Sequence, residues 1–223
     1  MDLVEYSDAD MMMISLARQL SRDLREALAR RDRALFAVPG GTTPGPVFDM
    51  LAAVDMDWSA IDIVPGDERW LPEDHPRSNA GQVRARLLRD KAAAATLLSL
   101  WRDVPTPEEG APMVAEELAP HLPVDVALVG MGADMHTASL FPDADGLEAA
   151  LAPDAPAVLP ISAPGAPEPR VTLSARTLRE AFALHVLITG DEKRAAIERA
   201  EKLSPMEAPI AALLSKATVH WAP

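Results

Sequence analysis

The sequence contains no cysteine, which excludes a disulfide, a thiolate metal site and a cysteine nucleophile. It has no run of about 18 apolar residues, the length needed to span a bilayer. Its opening, "MDLVEYSDAD", lacks the basic start and apolar core of a signal peptide. Basic charge is also scarce: 21 Lys and Arg stand against 34 Asp and Glu, a formal net charge of −13. Nucleic-acid phosphates need a basic face, so a DNA or RNA partner is not expected. A small anion is not excluded, because a few local cations outweigh a distant acidic surface. No internal repeat is visible. These absences lead to the expectation of a cytoplasmic protein with no membrane and no nucleic-acid partner.

What is present has a globular balance, 48% hydrophobic and 25% charged, which is incompatible with a wholly disordered chain. Apolar positions at Met12, Leu16, Leu20, Leu24 and Leu28 predict one long helix over 8–31, its methionines filling core gaps. Buried strands are read at "RALFAV" (33–38), "IDIV" (61–64), "TLLSLW" (96–101), "VDVALV" (124–129) and "ALHVLITG" (183–190), with a last one at "TVHWA". Helices fall between them at "VFDMLAAV", "SNAGQVRARLLRDK", "TPEEGAPMVAEELAPHL", "SARTLREAF", "DEKRAAIERAEKL" and "PIAALLSKA". "AVLPIS" (157–162) and "RVTLS" (170–174) read as two strands joined by a Pro-rich loop. Continuous apolar strands alternating with amphipathic helices predict an α/β three-layer sandwich, Rossmann-like, with a mostly parallel twisted sheet flanked by helices. The alternation resumes after the Pro/Ala stretches at 105–112 and 152–169, so these are loops, and one domain over 1–223 is expected.

In a parallel sheet, ligands gather at the carboxyl ends of the strands. The first strand is followed by "PGGTTPG" (39–45). There Gly40 and Gly41 permit close backbone approach, Thr42 and Thr43 offer hydroxyls, and a helix N-terminus near Pro44 favours an anion. An ordinary strand–helix turn would look the same, and the loop is neither a Walker loop nor G-x-G-x-x-G. The second strand ends in "GDERW" (66–70), where Asp67 can orient a partner or act as a base and Arg69 can meet substrate oxygens; a salt-bridged loop is the plainer reading. Ser78 or Asn79 can cap the following helix. The fourth strand runs into "VGMGADMHTASLFP" (129–142). Of the five histidines, His136 alone sits on a glycine-rich loop beside an acid, Asp134, and an imidazole there can take a proton from water. Two such ligands are too few for a metal. His75 and His121 are expected to be exposed, His185 and His220 to be structural. Arg170 opens a strand, and Lys193 lies in a first helical turn, where a cation opposes the dipole unless an anion is held there.

"GGTTP", "DERW…SN", "VGMGADMHTASLFP", "RVTLS" and "GDEK", in this order, resemble the 6-phosphogluconolactonase family from about residue 30 to Trp221. The resemblance implies hydrolysis of 6-phospho-D-glucono-1,5-lactone in the pentose phosphate and Entner–Doudoroff routes, with no metal and no organic cofactor. It implies His136 as the base that activates water, with Asp134 supporting it. Arg69 and Asp67 stand at the reacting end, and Gly40, Gly41, Thr42, Thr43, Asn79, Arg170 and Lys193 hold the substrate and its phosphate. The partner implied is a small sugar-phosphate lactone, and a monomer is expected rather than an oligomer. One departure stands out: the family usually has Gly where this chain has Met135. A retained turn with the Met side chain turned away from the cleft is expected. Glucosamine-6-phosphate deaminases share the superfamily, but their loop carries a Glu five residues after the His, where this chain has Phe141. A noncatalytic sugar-phosphate sensor is the other reading, weakened by the lack of an appended basic helix pair.

Overall fold

Ten strands and eight α-helices form among the described residues, 1–163 and 166–223, of the computed structural model. The strands are β1 (Asp2–Glu5), β2 (Ala34–Val38), β3 (Ile61–Pro65), β4 (Asp67–Arg69), β5 (Thr96–Leu97), β6 (Val126–Gly130), β7 (Val158–Ile161), β8 (Arg170–Leu173), β9 (Ala183–Thr189) and β10 (Thr218–Ala222). The helices are α1 (Ala9–Leu28), α2 (Gly45–Ala52), α3 (Asn79–Arg86), α4 (Pro107–Leu118), α5 (Leu147–Leu151), α6 (Ala175–Arg179), α7 (Asp191–Ala200) and α8 (Ala211–Leu214). Seven strands make one sheet in the order β1-β10-β9-β6-β2-β3-β5, every neighbouring pair parallel. No helix among the described residues is long and apolar enough to cross a membrane.

The three layers follow from strand periodicity. In β2, Leu35 and Ala37 face one core and Phe36 and Val38 the other, as alternating side chains on a pleated strand must. The Phe36 side is covered by α1, α2 and α3 through Leu16, Leu20, Leu24, Phe48, Leu51 and Val83. The Leu35 side is covered by α4, α6, α7 and α8 through Val114, Leu118, Leu178, Ile197 and Leu213. Both faces are dry, which is why β2 and β3 are buried at every position and read as unbroken apolar runs. The exception in β3, Asp62, is neutralised by Arg33 and accepts from His121 Nδ1 at 2.9 Å; His121 is thus half-buried and paired. α1 starts where Asp8 accepts from Met11 N at 2.8 Å, an N-cap whose loss typically costs about 1 kcal/mol.

The expected sandwich is present, with several local corrections. The acidic opening forms β1, an edge strand paired with β10 from Asp2↔Thr218 to Glu5↔Trp221; its exposed ends hid it. The strand read over 96–101 shrinks to the two residues that pair with Asp62 and Ile63 of β3. α4 begins at Pro107, with Thr106 as its cap, so only the start of the 105–112 stretch is loop. α3 ends at Arg86. "AVLPIS" and "RVTLS" are strands, but they lie outside the main sheet. With β4, from the stretch read as a loop, they form a separate antiparallel sheet in the order β4-β8-β7. Residues 164 and 165 of the Pro-rich loop between β7 and β8 lie outside the described residues.

Candidate active site

The carboxyl ends of β2, β3, β6 and β9 open on one cleft of about 260 Å³. Gly40, Gly41, Thr43, Asp67, Arg69, Asn79, His136, Arg170 and Lys193 all line it. Thr42 does not: it lines an adjoining hollow between α2 and α3. Asp134 lies just behind His136, bonded to it.

The small sheet explains half of this grouping. Along β4, residues two apart share a face, so Asp67 and Arg69 point one way and Glu68 the other. Arg170 on β8 stands directly opposite Arg69 in register. Like charges so placed repel, and Asp67 partly offsets them, its Oδ2 lying 3.5 Å from Arg170 Nη1. Burial pushes the Arg170 guanidinium below its ordinary range, with Asp67 opposing the shift and Arg69 adding to it. The Nε atoms of Arg69 and Arg170 are both buried and take no hydrogen-bond partner among the described residues. Two like-charged guanidinium groups from residues paired in register along one cleft suit an anionic or oxygen-rich ligand.

Glu68, fully buried on the reverse face, was not anticipated. It accepts from the backbone N–H groups of Arg69 (2.8 Å), Asn79 (2.8 Å) and Ala80 (2.7 Å) and from Ser78 Oγ (3.0 Å). Burial raises its carboxyl above the usual range while these donors pull it back. It locks the first turn of α3 to β4. Ser78, whose Oγ accepts from Gly81 N at 3.1 Å, is the helix cap. Asn79 is thereby released to the site, where Nδ2 donates to Asp67 Oδ1 at 3.1 Å and Oδ1 accepts from Arg69 Nη1 at 3.0 Å. Ser139, also missed, donates to Asp67 Oδ2 at 2.5 Å and ties the loop after β6 to the small sheet. Alternation within "DER" carried the Glu68 signal; nothing in the sequence marked Ser139.

That loop holds Asp134 and His136. His136 Nδ1 lies 2.5 Å from Asp134 Oδ1, which also accepts from the His136 backbone N–H at 3.3 Å. A carboxylate can only accept, so it assigns the proton to Nδ1 and leaves the Nε2 lone pair free. The turn is tight because Met135 N donates to Gly132 O and Gly132 N to His136 O, both at 3.0 Å. Gly132 is obligatory for space: a Cβ there would fall 2.3 Å from the imidazole and 2.4 Å from Asp134 Oδ1. Met135 has φ +67°, a left-handed backbone that costs a side-chain-bearing residue about 1–2 kcal/mol. Its carbonyl accepts from Ile210 N at 3.1 Å and its side chain packs on the core beneath, away from the cleft. Met135 thus sits in a left-handed turn with tertiary contacts holding the strained residue.

The opposite wall is the loop between β2 and α2. Gly40 is required there because a Cβ would lie 2.0 Å from Asn79 Oδ1. The Gly41 N–H is already taken by Gln82 Oε1 at 3.1 Å, whereas those of Thr42 and Thr43 have no partner among the described residues. Lys193, in the first turn of α7, forms no ion pair among the described residues. His185 and His220 are structural, as expected: they bond each other at 3.0 Å, Asp23 and Tyr6 completing a buried chain.

Known proteins are similar to this chain over most of its length. A 6-phosphogluconolactonase of Pseudomonas aeruginosa is 40% identical, with 93% of this chain and 89% of that protein covered. One from Mesorhizobium japonicum is 38% identical over 98% of this chain and 94% of its own. The crystal structure of a 6-phosphogluconolactonase from Shewanella baltica superposes with a TM-score of 0.96 at 32% identity, covering 100% of this chain and 97% of that one. The family model described as glucosamine-6-phosphate isomerases/6-phosphogluconolactonase matches residues 7–221, and the chain belongs to that family.

Proposed function

We propose that this chain hydrolyses 6-phospho-D-glucono-1,5-lactone to 6-phosphogluconate in the pentose phosphate route, also feeding Entner–Doudoroff degradation. The observation that carries this reading is the Asp134–His136 pair opening on a cleft that also holds Arg69, Arg170 and Lys193. Lactone hydrolysis needs an activated water, a stabilised oxyanion and a proton for the departing ring oxygen. In the proposed mechanism His136 Nε2 takes a proton from water as the oxygen attacks the carbonyl carbon. Asp134 holds the imidazole and stabilises its protonated form. Arg69, steadied by Asn79 and balanced by Asp67, faces the developing oxyanion. As the ring C–O bond breaks, His136 returns its proton to the leaving oxygen, so no covalent enzyme intermediate forms. Lys193, Arg170 and the β2–α2 loop through Gly40, Gly41 and Thr43 hold the phosphate, while Thr42 lies outside the cleft. No metal or cofactor takes part.

The same reading has the enzyme working as a single cytoplasmic domain over 1–223, as a monomer. A deaminase is disfavoured because the ring beside His136 is Phe141, where that chemistry has a carboxylate. A noncatalytic sensor would have no use for a base held against a carboxylate. The test is a coupled assay on freshly made lactone, with 6-phosphogluconate oxidised as it forms and spontaneous hydrolysis subtracted. Acceleration that vanishes in His136→Ala is expected. No acceleration over the spontaneous rate would refute the activity, and ammonia release from glucosamine 6-phosphate would favour the deaminase. Light scattering after gel filtration tests the monomer.

A further inference from the structure

One hydrogen bond fixes a point on an imidazole but not its plane. Rotation about the Nδ1···Oδ1 line would swing His136 Nε2 across the cleft mouth, and Asp134 is itself on an exposed turn. A second restraint is therefore needed, and the structure contains one. Thr137 and Leu140 pair across a tight turn, with Leu140 N donating to Thr137 O at 2.9 Å and Ala138 at φ +50°. Both paired residues are fully buried, and Thr137 Oγ1 donates to Gly130 O at 2.9 Å. The residues just outside such a pair are brought side by side, and here they are His136 and Phe141.

Their ring centroids lie 4.3 Å apart with planes inclined by 31°, close enough for one ring face to set the orientation of the other. Phe141 also carries the Arg170 guanidinium over its ring, Cζ lying 5.3 Å from the centroid, within cation–π range. Phe141 belongs to none of the apolar clusters of the core among the described residues. Its ring contacts the base on the catalytic loop and a cation on the small sheet.

We propose that Phe141 is a positioning residue: its ring sets the plane of the His136 imidazole, aiming Nε2 at the water. This rests on the lactonase reading above. Uniform substrate binding needs no such clamp, so its loss acts on turnover rather than on KM. Misplacement by about 1 Å is enough to cost around 100-fold.

The experiment compares Phe141→Leu, which keeps an apolar side chain but loses the ring face, with Phe141→Tyr, which keeps the ring. Phe141→Leu is expected to lower kcat by about 10- to 100-fold with KM within about threefold, while Phe141→Tyr stays within about threefold of the parent in both. The idea is overturned if the Leu variant keeps more than about half of parental kcat, if the Tyr variant falls as far as the Leu variant, or if the loss lies in KM alone. A second measurement needs neither turnover nor a folded variant. In the NMR spectrum of the parent, the His136 ring protons should show ring-current displacement and cross-relaxation with Phe141, and their absence would equally overturn the clamp. A parent that does not accelerate lactone hydrolysis refutes the activity; an active parent with an unaffected Leu variant refutes only Phe141.

Discussion

Gly132→Ala separates the geometry of the reactive pair from the stability of the fold. The added Cβ would lie 2.3 Å from both Cε1 and Nδ1 of His136 and 2.4 Å from Asp134 Oδ1, where ordinary contacts begin at 3.4 Å. The pair must therefore retreat by about 1 Å, and because both side chains are partly exposed they can swing outward. Gly132 is not among the residues with positive φ, so its backbone accepts an L side chain and folding should change little. A 1 Å displacement of a catalytic group is worth about 100-fold in rate, close to 2.7 kcal/mol of barrier. The coupled assay should show kcat reduced to that extent, with the thermal midpoint nearly unchanged. Gly130→Ala is the comparison, since a Cβ there meets nothing within 4 Å; it should retain at least about tenfold more kcat than Gly132→Ala. Near-parental turnover in Gly132→Ala would show that the pair is not held where the mechanism needs it.

Other consequences can be checked directly. His136→Ala should lower kcat by about 10²–10⁴ while calorimetric affinity for 6-phosphogluconate changes little; parental turnover would remove His136 from the mechanism. Lys193→Ala should weaken 6-phosphogluconate binding by about 10- to 100-fold, the scale of one charge-assisted contact, and unchanged affinity would place the phosphate elsewhere. Met135→Gly relieves the left-handed strain but removes core packing, so turnover should stay within about tenfold of the parent; a gain of several hundredfold would show an impaired natural enzyme. Burial, with His185 adding and Asp23 opposing, lowers His220 to about 4 from an ordinary 6.5. The unfolded chain then binds a proton that the folded one refuses. The stability due to neutral His220 is complete above pH 6.5 and lost as pH falls towards 4, by about 3 kcal/mol. Denaturant unfolding of the parent and His220→Gln over this range checks it, and equal pH dependence in the two would refute the assignment.

The main sheet was legible because each of its central strands lies between two dry layers and so leaves an unbroken apolar run. Leu35 and Phe36 are equally buried, on opposite faces. Elements that escaped or were read too long lie where that rule fails. β1 has solvent at both ends and β5 pairs through only two residues. β4 is three residues long, all charged; it is a strand because Arg69 and Arg170, Asp67 and Thr172 meet in register, a distant partnership along the chain that no local pattern records.

The same division runs through the site. Residues on loops after parallel strands were found by position alone, since β2, β6 and β9 all end on one edge: Gly40, His136 and Lys193 share a cleft because their strands point the same way. What position could not supply was the second sheet standing across that edge. It converts a loop-like "DER" into a strand with two faces, one carrying Asp67 and Arg69 to the cleft and the other burying Glu68 against the start of α3. It also sets Arg170 opposite Arg69 and within reach of Phe141. Thus the parallel sheet brings the base and the anion loop together, and the antiparallel sheet sets the arginines against them. Chemistry at the cleft depends on their relative placement, which Ser139 holds across the gap.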